Sequence, residues 1–194
     1  MAHNPARRAA LTDAAIDVLA REGARGLTFR AVDVQAGVPA GTASNYFANR
    51  DDLLHQTASH IHHRLTPDPV ILSDLLRAPR DRALVTALMH DLMRRIADDR
   101  AGYLAMLELR LEATRRPELR NELTGTIRDE LEANIAYHLD EGFPGDRNTV
   151  ILLYLAMTGL IVEHLTLPEV LGPDGPAALI DSLVERLLPA APAV

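Results

Sequence analysis

Apolar side chains recur every three or four residues along most of the chain, which is the spacing of one face of an α-helix. Residues 5–22 show it first, and Gly23 then stands where a left-handed C-terminal cap belongs. Later segments with this periodicity, separated mostly by proline or glycine, span about 70–77, 81–98, 101–115, 118–141, 147–166 and 175–188. No stretch alternates as a strand does. The pattern predicts an all-α protein with nine or ten helices.

Three further helices are predicted in the first third of the chain. Thr28 offers a hydroxyl cap for a helix of about two turns, which Gly37 ends. A third helix over 39–47 would begin with a proline, as first turns often do. Asn49 is the predicted cap of a fourth helix over about 50–65. Two short helices joined at a glycine turn have the dimensions of a helix-turn-helix.

The side chains of the predicted third helix are small and polar. Residues 40–45 contain only Ala, Gly, Thr, Ser and Asn, so the backbone can approach a DNA major groove closely. Thr42, Ser44 and Asn45 also carry groups that hydrogen-bond base edges. The segment therefore predicts contact with double-stranded DNA.

The formal net charge of -7 is unusual for a DNA-binding protein, but the charge is unevenly distributed. Residues 1–64 carry a net charge of +1, whereas residues 65–194 carry -8. This balance is compatible with DNA binding if the arginines of the first part share one face. The chain has no cysteine, which excludes disulfides and thiolate metal sites. Nothing at the N-terminus is typical of a secretory signal, so a cytoplasmic location is expected.

The residues Thr66-Pro67-Asp68-Pro69 interrupt the helical pattern and predict a domain boundary. We expect residues 1–50 to form the helix-turn-helix domain, with the helix over about 50–65 as the connection. Residues 66–194 are expected to form a helical bundle for ligand binding and dimerisation.

The segment from Leu11 to Leu54 resembles the DNA-binding domain of the TetR family of bacterial repressors. The matching features, in order, are the first helix, the Gly-x-x-Gly-Leu-Thr loop, Ala36-Gly37-Val38, Gly41-Thr42, Tyr46-Phe47 and Arg50-Asp51-x-Leu53-Leu54. The resemblance implies a three-helix DNA-binding domain followed by a helical effector domain. It also implies a homodimeric repressor that binds a palindromic operator and is released by a small-molecule effector.

The resemblance further implies which residues contact DNA. These are Thr28, Thr42, Ser44, Asn45, Tyr46 and Arg50. Thr28 is needed as a helix cap even without DNA, and Tyr46 could equally pack its ring in the core. Asp33 departs from the family pattern, which usually has a small apolar residue at that place.

Residues 150–162 form an uncharged, largely apolar run that is too short to span a bilayer. A helix that is apolar all round needs cover on every side, including cover from a second subunit. The amphipathic segment 177–188 is its expected partner in a four-helix dimer interface. A dimer also suits the reading of a palindrome by two helices.

Adaptable apolar side chains in the predicted effector domain are the candidate ligand contacts. They are Met89, Met93, Tyr103, Met106, Leu107, Tyr137, Tyr154 and Met157. Such residues at helical spacing are also typical of an ordinary core, and both interpretations stay open.

Two other classes of function compete with the ligand-responsive repressor. One is a regulator with a different kind of signal, or a partner-binding module on the same fold. The other is an enzyme, which is disfavoured because there is no Gly-rich phosphate loop and no nucleophile elbow. His60 and His63 share a helix face, but a third metal ligand is not evident. We therefore expect no catalytic residue, metal, cofactor or membrane partner.

Overall fold

The computed structural model describes residues 4–172 and 175–188, and this part of the chain is helical without any strand. Its nine α-helices are α1 (Pro5–Gly26), α2 (Phe29–Gln35), α3 (Arg50–Leu65), α4 (Pro69–Leu75), α5 (Arg82–Asp98), α6 (Arg100–Ala113), α7 (Pro117–Asp140), α8 (Arg147–Thr166) and α9 (Gly175–Leu187). Short 3-10 helices occur at Ala43–Asn45 and Pro168–Leu171. The predicted fold class is confirmed.

The chain forms two compact units. The first contains the described residues up to Thr66 together with Asp99–Gly125. The second contains Pro67–Asp98 together with the described residues from Thr126 onward. The first break coincides with the interruption at residues 66–69, whereas α6 and the start of α7 join the N-terminal helices. The assignment of DNA binding to residues 1–50 and of ligand binding to 66–194 stays a prediction.

The first unit has a core to which α1, α2, α3 and α6 all contribute. Its large, fully buried side chains include Leu11, Ile16, Leu19, Phe47, Leu53, Leu54, Ile61 and Leu109. Removing each such side chain from water contributes about 1.5–3 kcal/mol to folding. This shared core holds α2 and the segment after it on a rigid base.

The sequence predictions at Gly23 and Asn49 can be compared with the structure. Gly23 adopts φ +69° and ψ -179°, so the helical conformation is interrupted there, and α1 continues beyond this kink to Gly26. The side chain of Asn49 accepts a hydrogen bond from the Asp52 amide at 2.8 Å and caps α3. The predicted cap at Asn49 is confirmed, whereas Gly23 marks a kink within α1 and the C-cap is Leu27.

The predicted third helix over residues 39–47 is wrong in its extent. Only Ala43–Asn45 form a 3-10 turn. Gly41 has φ +88°, which no right-handed helix can contain. The chain therefore turns at Gly41 before it becomes helical, and residues 39–47 form a compact segment with a single helical turn. We call residues 39–47 the turn segment.

The second unit has its own core between α5, α8 and α9. Leu84 and Val85 of α5 pack with Leu153 of α8 and Val184 of α9. A polar contact also joins α5 to α9, because His90 Nε2 lies 2.7 Å from Asp181 Oδ1.

Helix α8 combines 20 residues of length with a strongly apolar composition. It is long and apolar enough to cross a membrane by length and composition, with a mean hydropathy of 1.6, and 33% of that window is buried in the chain. The short apolar run seen in the sequence thus continues into a 20-residue helix, so its length does not exclude a membrane span. The core helix of a helical protein has the same character.

An ionic cluster around Glu112 joins α6 to its neighbours in the first unit. The Glu112 side chain is only 10% exposed, and it accepts hydrogen bonds from Arg116 Nε at 2.7 Å and Arg115 Nη2 at 3.0 Å. The hydrogen bond from Arg116 is the main reason why the pKa of Glu112 is lowered. Arg116 also pairs with Asp51 at the start of α3.

Replacing Glu112 by Gln should lower the free energy of unfolding at neutral pH by about 1–3 kcal/mol, because two arginines lose an ionised acceptor. Folding lowers the pKa of Glu112, so this stabilisation is complete above the ordinary glutamate pKa of 4.5 and is lost as the pH falls through the lowered value. Urea unfolding of both proteins at neutral and acidic pH measures the difference, which should shrink in acid.

The matched control is Glu132→Gln. Glu132 pairs with Arg147 through side chains that are both about half exposed, so its loss should matter little. Equal effects of the two substitutions, or a Glu112→Gln effect that does not change with pH, would contradict the role of the cluster.

Candidate DNA interface

The interface begins at α2, which is positioned by Thr28. The Thr28 hydroxyl oxygen accepts a hydrogen bond from the Ala31 amide at 3.1 Å, as an N-cap does. The Thr28 side chain lies at the surface, and its hydroxyl hydrogen is available to an acceptor such as a phosphate. Gly37 ends the helix with φ +63°, which confirms the predicted turn.

The turn segment is held by a side chain of α2 that sequence reasoning passed over. Asp33 is 2% exposed. Its Oδ2 accepts a hydrogen bond from the Gly41 amide, and its Oδ1 accepts one from the Ala43 amide, both at 2.7 Å. The departure of Asp33 from the family pattern was the only signal in the sequence.

Three polar side chains of the turn segment differ in their hydrogen bonds. The Thr42 hydroxyl donates to the Pro39 carbonyl at 2.6 Å, and the Ser44 hydroxyl donates to the Gly41 carbonyl at 2.9 Å. Asn45 is exposed, and among the described residues its side-chain amide makes no hydrogen bond. Asn45 therefore offers both a donor and an acceptor to an external partner.

Tyr46 is half-buried at the end of the turn segment, and it packs against the core next to the fully buried Phe47. The Arg8 guanidinium lies over both rings, 5.7 Å from each centroid, and donates to Gln56 of α3. Arg8 thus adds a positive charge beside Tyr46. No pattern in the sequence predicts this contact between α1 and Tyr46.

Arg50 begins α3 and turns its guanidinium towards the end of α1. It donates to the Leu27 carbonyl at 3.3 Å and to the Ala24 carbonyl, and its Nη1 lies 3.8 Å from Glu112 Oε1. The side chain is 37% exposed. Arg50 therefore has a structural role in addition to the phosphate contact predicted for it.

The predicted ligand contacts are divided between the two units. Tyr103, Met106 and Leu107 belong to the first unit, where Met106 packs against the core. Met89, Met93, Tyr137, Tyr154 and Met157 belong to the second unit. Met93 and Met157 are buried at 6% and 2% exposure, whereas Tyr137 is 42% exposed.

An open surface depression of about 340 Å³ lies between α5 and α9 of the second unit. Its lining residues are Arg82, Ala83, Thr86, Asp181 and Glu185, and none of them is among the predicted contacts. The predicted ligand residues thus stay a prediction.

Two histidines of α3, His55 and His60, lie next to carboxylates. His60 Nε2 lies 2.9 Å from Asp13 Oδ1, and Arg64 binds the same carboxylate at 3.1 Å. Over residues 4–172 and 175–188, no group of three His, Asp or Glu side chains is arranged to hold a metal ion.

Comparison with known families gives two matches that together cover most of the chain. Residues 11–57 match the model of bacterial regulatory proteins of the tetR family. Residues 80–190 match the model described as tetracyclin repressor-like, C-terminal domain. The first match contains α2, the turn segment and the first half of α3.

Two curated relatives are similar over much of their length. The HTH-type transcriptional regulator BetI of Agrobacterium fabrum is 28% identical over 97% of this chain and 91% of its own length. BetI of Rhizobium meliloti is 31% identical over 73% of this chain and 68% of its own length.

Among solved structures, the multidrug binding protein EbrR in complex with imidazole superposes with a TM-score of 0.67 at 25% identity. The match covers 98% of this chain and 94% of EbrR. EbrR is also similar in its complex with ethidium, with a TM-score of 0.65 at 26% identity over 96% of this chain and all of EbrR. Family models, relatives and structures thus agree that the chain belongs to the TetR family and is a DNA-binding transcriptional regulator, not an enzyme.

Proposed function

We propose that the chain is a homodimeric, cytoplasmic repressor that binds a palindromic operator through the turn segment and is released by a small molecule. The observation that carries the DNA-binding part is the exposed amide of Asn45. An amide can pair in a bidentate way with the N6 and N7 atoms of adenine in the major groove. Neighbouring small residues let the backbone come close enough for that contact.

The remaining contacts of the proposed interface differ in chemistry. Thr42 and Ser44 use their hydroxyl hydrogens within the turn segment, so they offer oxygen acceptors to base amino groups. Thr28, Tyr46 and Arg50 are the proposed phosphate contacts. Phosphate contacts set the position on the duplex, whereas base contacts select the sequence.

The proposed dimer face lies on α8 and α9. Leu152 and Leu155 on α8 are 48% and 57% exposed, and Gly159 lies on the same helix face. Leu179 on α9 is 41% exposed. A second copy of the chain would cover this apolar surface, and a symmetric dimer presents two turn segments to a palindrome.

The proposed effector site lies in the second unit, with Met89, Met93, Tyr154 and Met157 as contacts. Support comes from EbrR, which binds imidazole and ethidium. Flexible thioethers suit a site that adapts to its ligand. Release requires a compound that binds the DNA-free state more tightly than the DNA-bound state, so that it stabilises the protein and weakens operator binding together.

Replacing Asn45 by Ala should change which operator is preferred, because the variant loses its contact with one base pair. Discrimination at that base pair should fall by about 1–3 kcal/mol, with little change for other positions. Selection of binding sites from a random duplex pool by both proteins measures this, followed by affinities for each single-base variant.

The contrasting variant is Arg50→Ala. It should weaken binding to every sequence, reduce the slope of log K against log salt by about one unit, and lower the melting temperature through the lost bonds to α1. If the two variants lost affinity equally on every sequence, the assignment of base and phosphate roles would be wrong.

Replacing Leu155 by Arg should convert the dimer to a monomer, because the charge would be buried without a partner in the α8 and α9 face. Sedimentation velocity distinguishes a monomer of 21.2 kDa from a dimer of twice that mass. Leu111→Arg is the matched control, since Leu111 on α6 is also 57% exposed and lies outside the proposed face. A dimer that persists in Leu155→Arg would contradict the proposed interface.

A further inference from the structure

The Asp33 carboxylate is an unusual anchor because it joins two elements of the interface. Asp33 belongs to α2, but both of its oxygens accept hydrogen bonds from amides of the turn segment. A buried carboxylate is costly unless it is well bonded, and bonds from amides to an ionised oxygen are among the stronger ones. We call this pair of hydrogen bonds the Asp33 clamp.

The turn segment depends on help from outside because its own helical part has three residues. Thr42, which precedes it, provides no side-chain cap. The amides of Gly41 and Ala43 therefore have no cap from within the segment. The Asp33 clamp supplies the acceptors for both amides, and it stabilises the turn at Gly41, where φ is +88°.

The clamp also sets the position of the side chains that face outward. Ala43 is fully buried, so Ser44 and Asn45 next to it are turned to the surface. We propose that Asp33 is a positioning residue for base reading, which keeps Asn45 in the orientation that selects the operator sequence. This inference rests on the proposed operator-binding function of the turn segment.

The sign of the effect separates this role from simple electrostatics. Removing a negative charge from a DNA-binding protein should strengthen binding to every duplex. Loss of the Asp33 clamp should instead weaken binding to the preferred duplex, because fewer molecules hold the turn segment in the competent conformation. Binding to unrelated duplexes, which depends on phosphates, should not weaken.

The test uses the full chain with Asp33→Asn and Asp17→Asn as the matched control. In Asp33→Asn, one amide nitrogen of Asn would face an N–H group, so one hydrogen bond is lost. Asp17 of α1 accepts a hydrogen bond from Gln35 and lies outside the turn segment, so its substitution removes the same charge without touching the clamp.

Affinities are measured by fluorescence anisotropy on a duplex that the wild-type protein selects from a random pool, and on a scrambled duplex of the same composition. Asp33→Asn should bind the selected duplex about 10- to 100-fold more weakly and the scrambled duplex no more weakly than wild type. Asp17→Asn should bind both at least as well as wild type.

The possible results separate the positioning role of Asp33 from the proposed operator-binding function. Tighter binding of Asp33→Asn to both duplexes, or an unchanged ratio between them, overturns the positioning role alone. A wild-type protein that selects no duplex overturns the proposed function and this inference with it. If Asp33→Asn melts before binding can be measured, amide hydrogen exchange of the wild type decides. Slow exchange at Gly41 and Ala43 supports the clamp, and exchange at free-peptide rates overturns it.

Discussion

The turn segment, which we propose to face DNA, contains too little helix to satisfy its own backbone amides. A helical turn of three residues cannot satisfy its own first amides, and the turn segment has only that much helix. Its backbone is held from two sides, by the Asp33 carboxylate and by the burial of Ala43 and Phe47 in the core of the first unit. What remains exposed, Ser44 and Asn45, can then be polar and small without loss of order.

The charge of the chain poses a second constraint, since an acidic protein must bind a polyanion. Several arginines near the interface have protein partners as well. Arg8 lies over Tyr46 and Phe47, and Arg50 bonds to the end of α1. Arginine can do this and still present part of its guanidinium to a phosphate, because it carries five donors. In the proposed interface, the same side chains serve both fold stability and DNA affinity.

Helix number, cap positions and the buried stripe of α3 could be predicted from the sequence, because each depends on local spacing and on capping chemistry. Asn49 and Leu53 follow this rule, and Gly23 marks a break in the helical conformation of α1. The extent of the third helix could not be predicted from local spacing and capping chemistry. The conformation of the turn segment depends on Asp33. No local sequence pattern shows that this carboxylate accepts a hydrogen bond from the Gly41 amide, eight residues later.

The interface residues show the same limit. The family resemblance predicts Thr28, Asn45 and Arg50 as DNA contacts, but the bonds of Arg50 to α1 and the contact of Arg8 with Tyr46 arise only in three dimensions. The predicted effector contacts rest on residue type and helical spacing, without any sequence motif. Met and Tyr at helical spacing serve a core and a pocket equally well, and Met157 is in fact almost fully buried.

The central claim is that two turn segments, related by a dimer axis, read one palindrome. Dimeric helix-turn-helix proteins bind half-sites about one helical turn apart on one face of the duplex. Inserting about five base pairs between the half-sites of the selected duplex rotates one of them to the opposite face. The account predicts that affinity then falls to that of a scrambled duplex in fluorescence anisotropy. Unchanged affinity after the insertion would show that each chain binds DNA alone, and would contradict it.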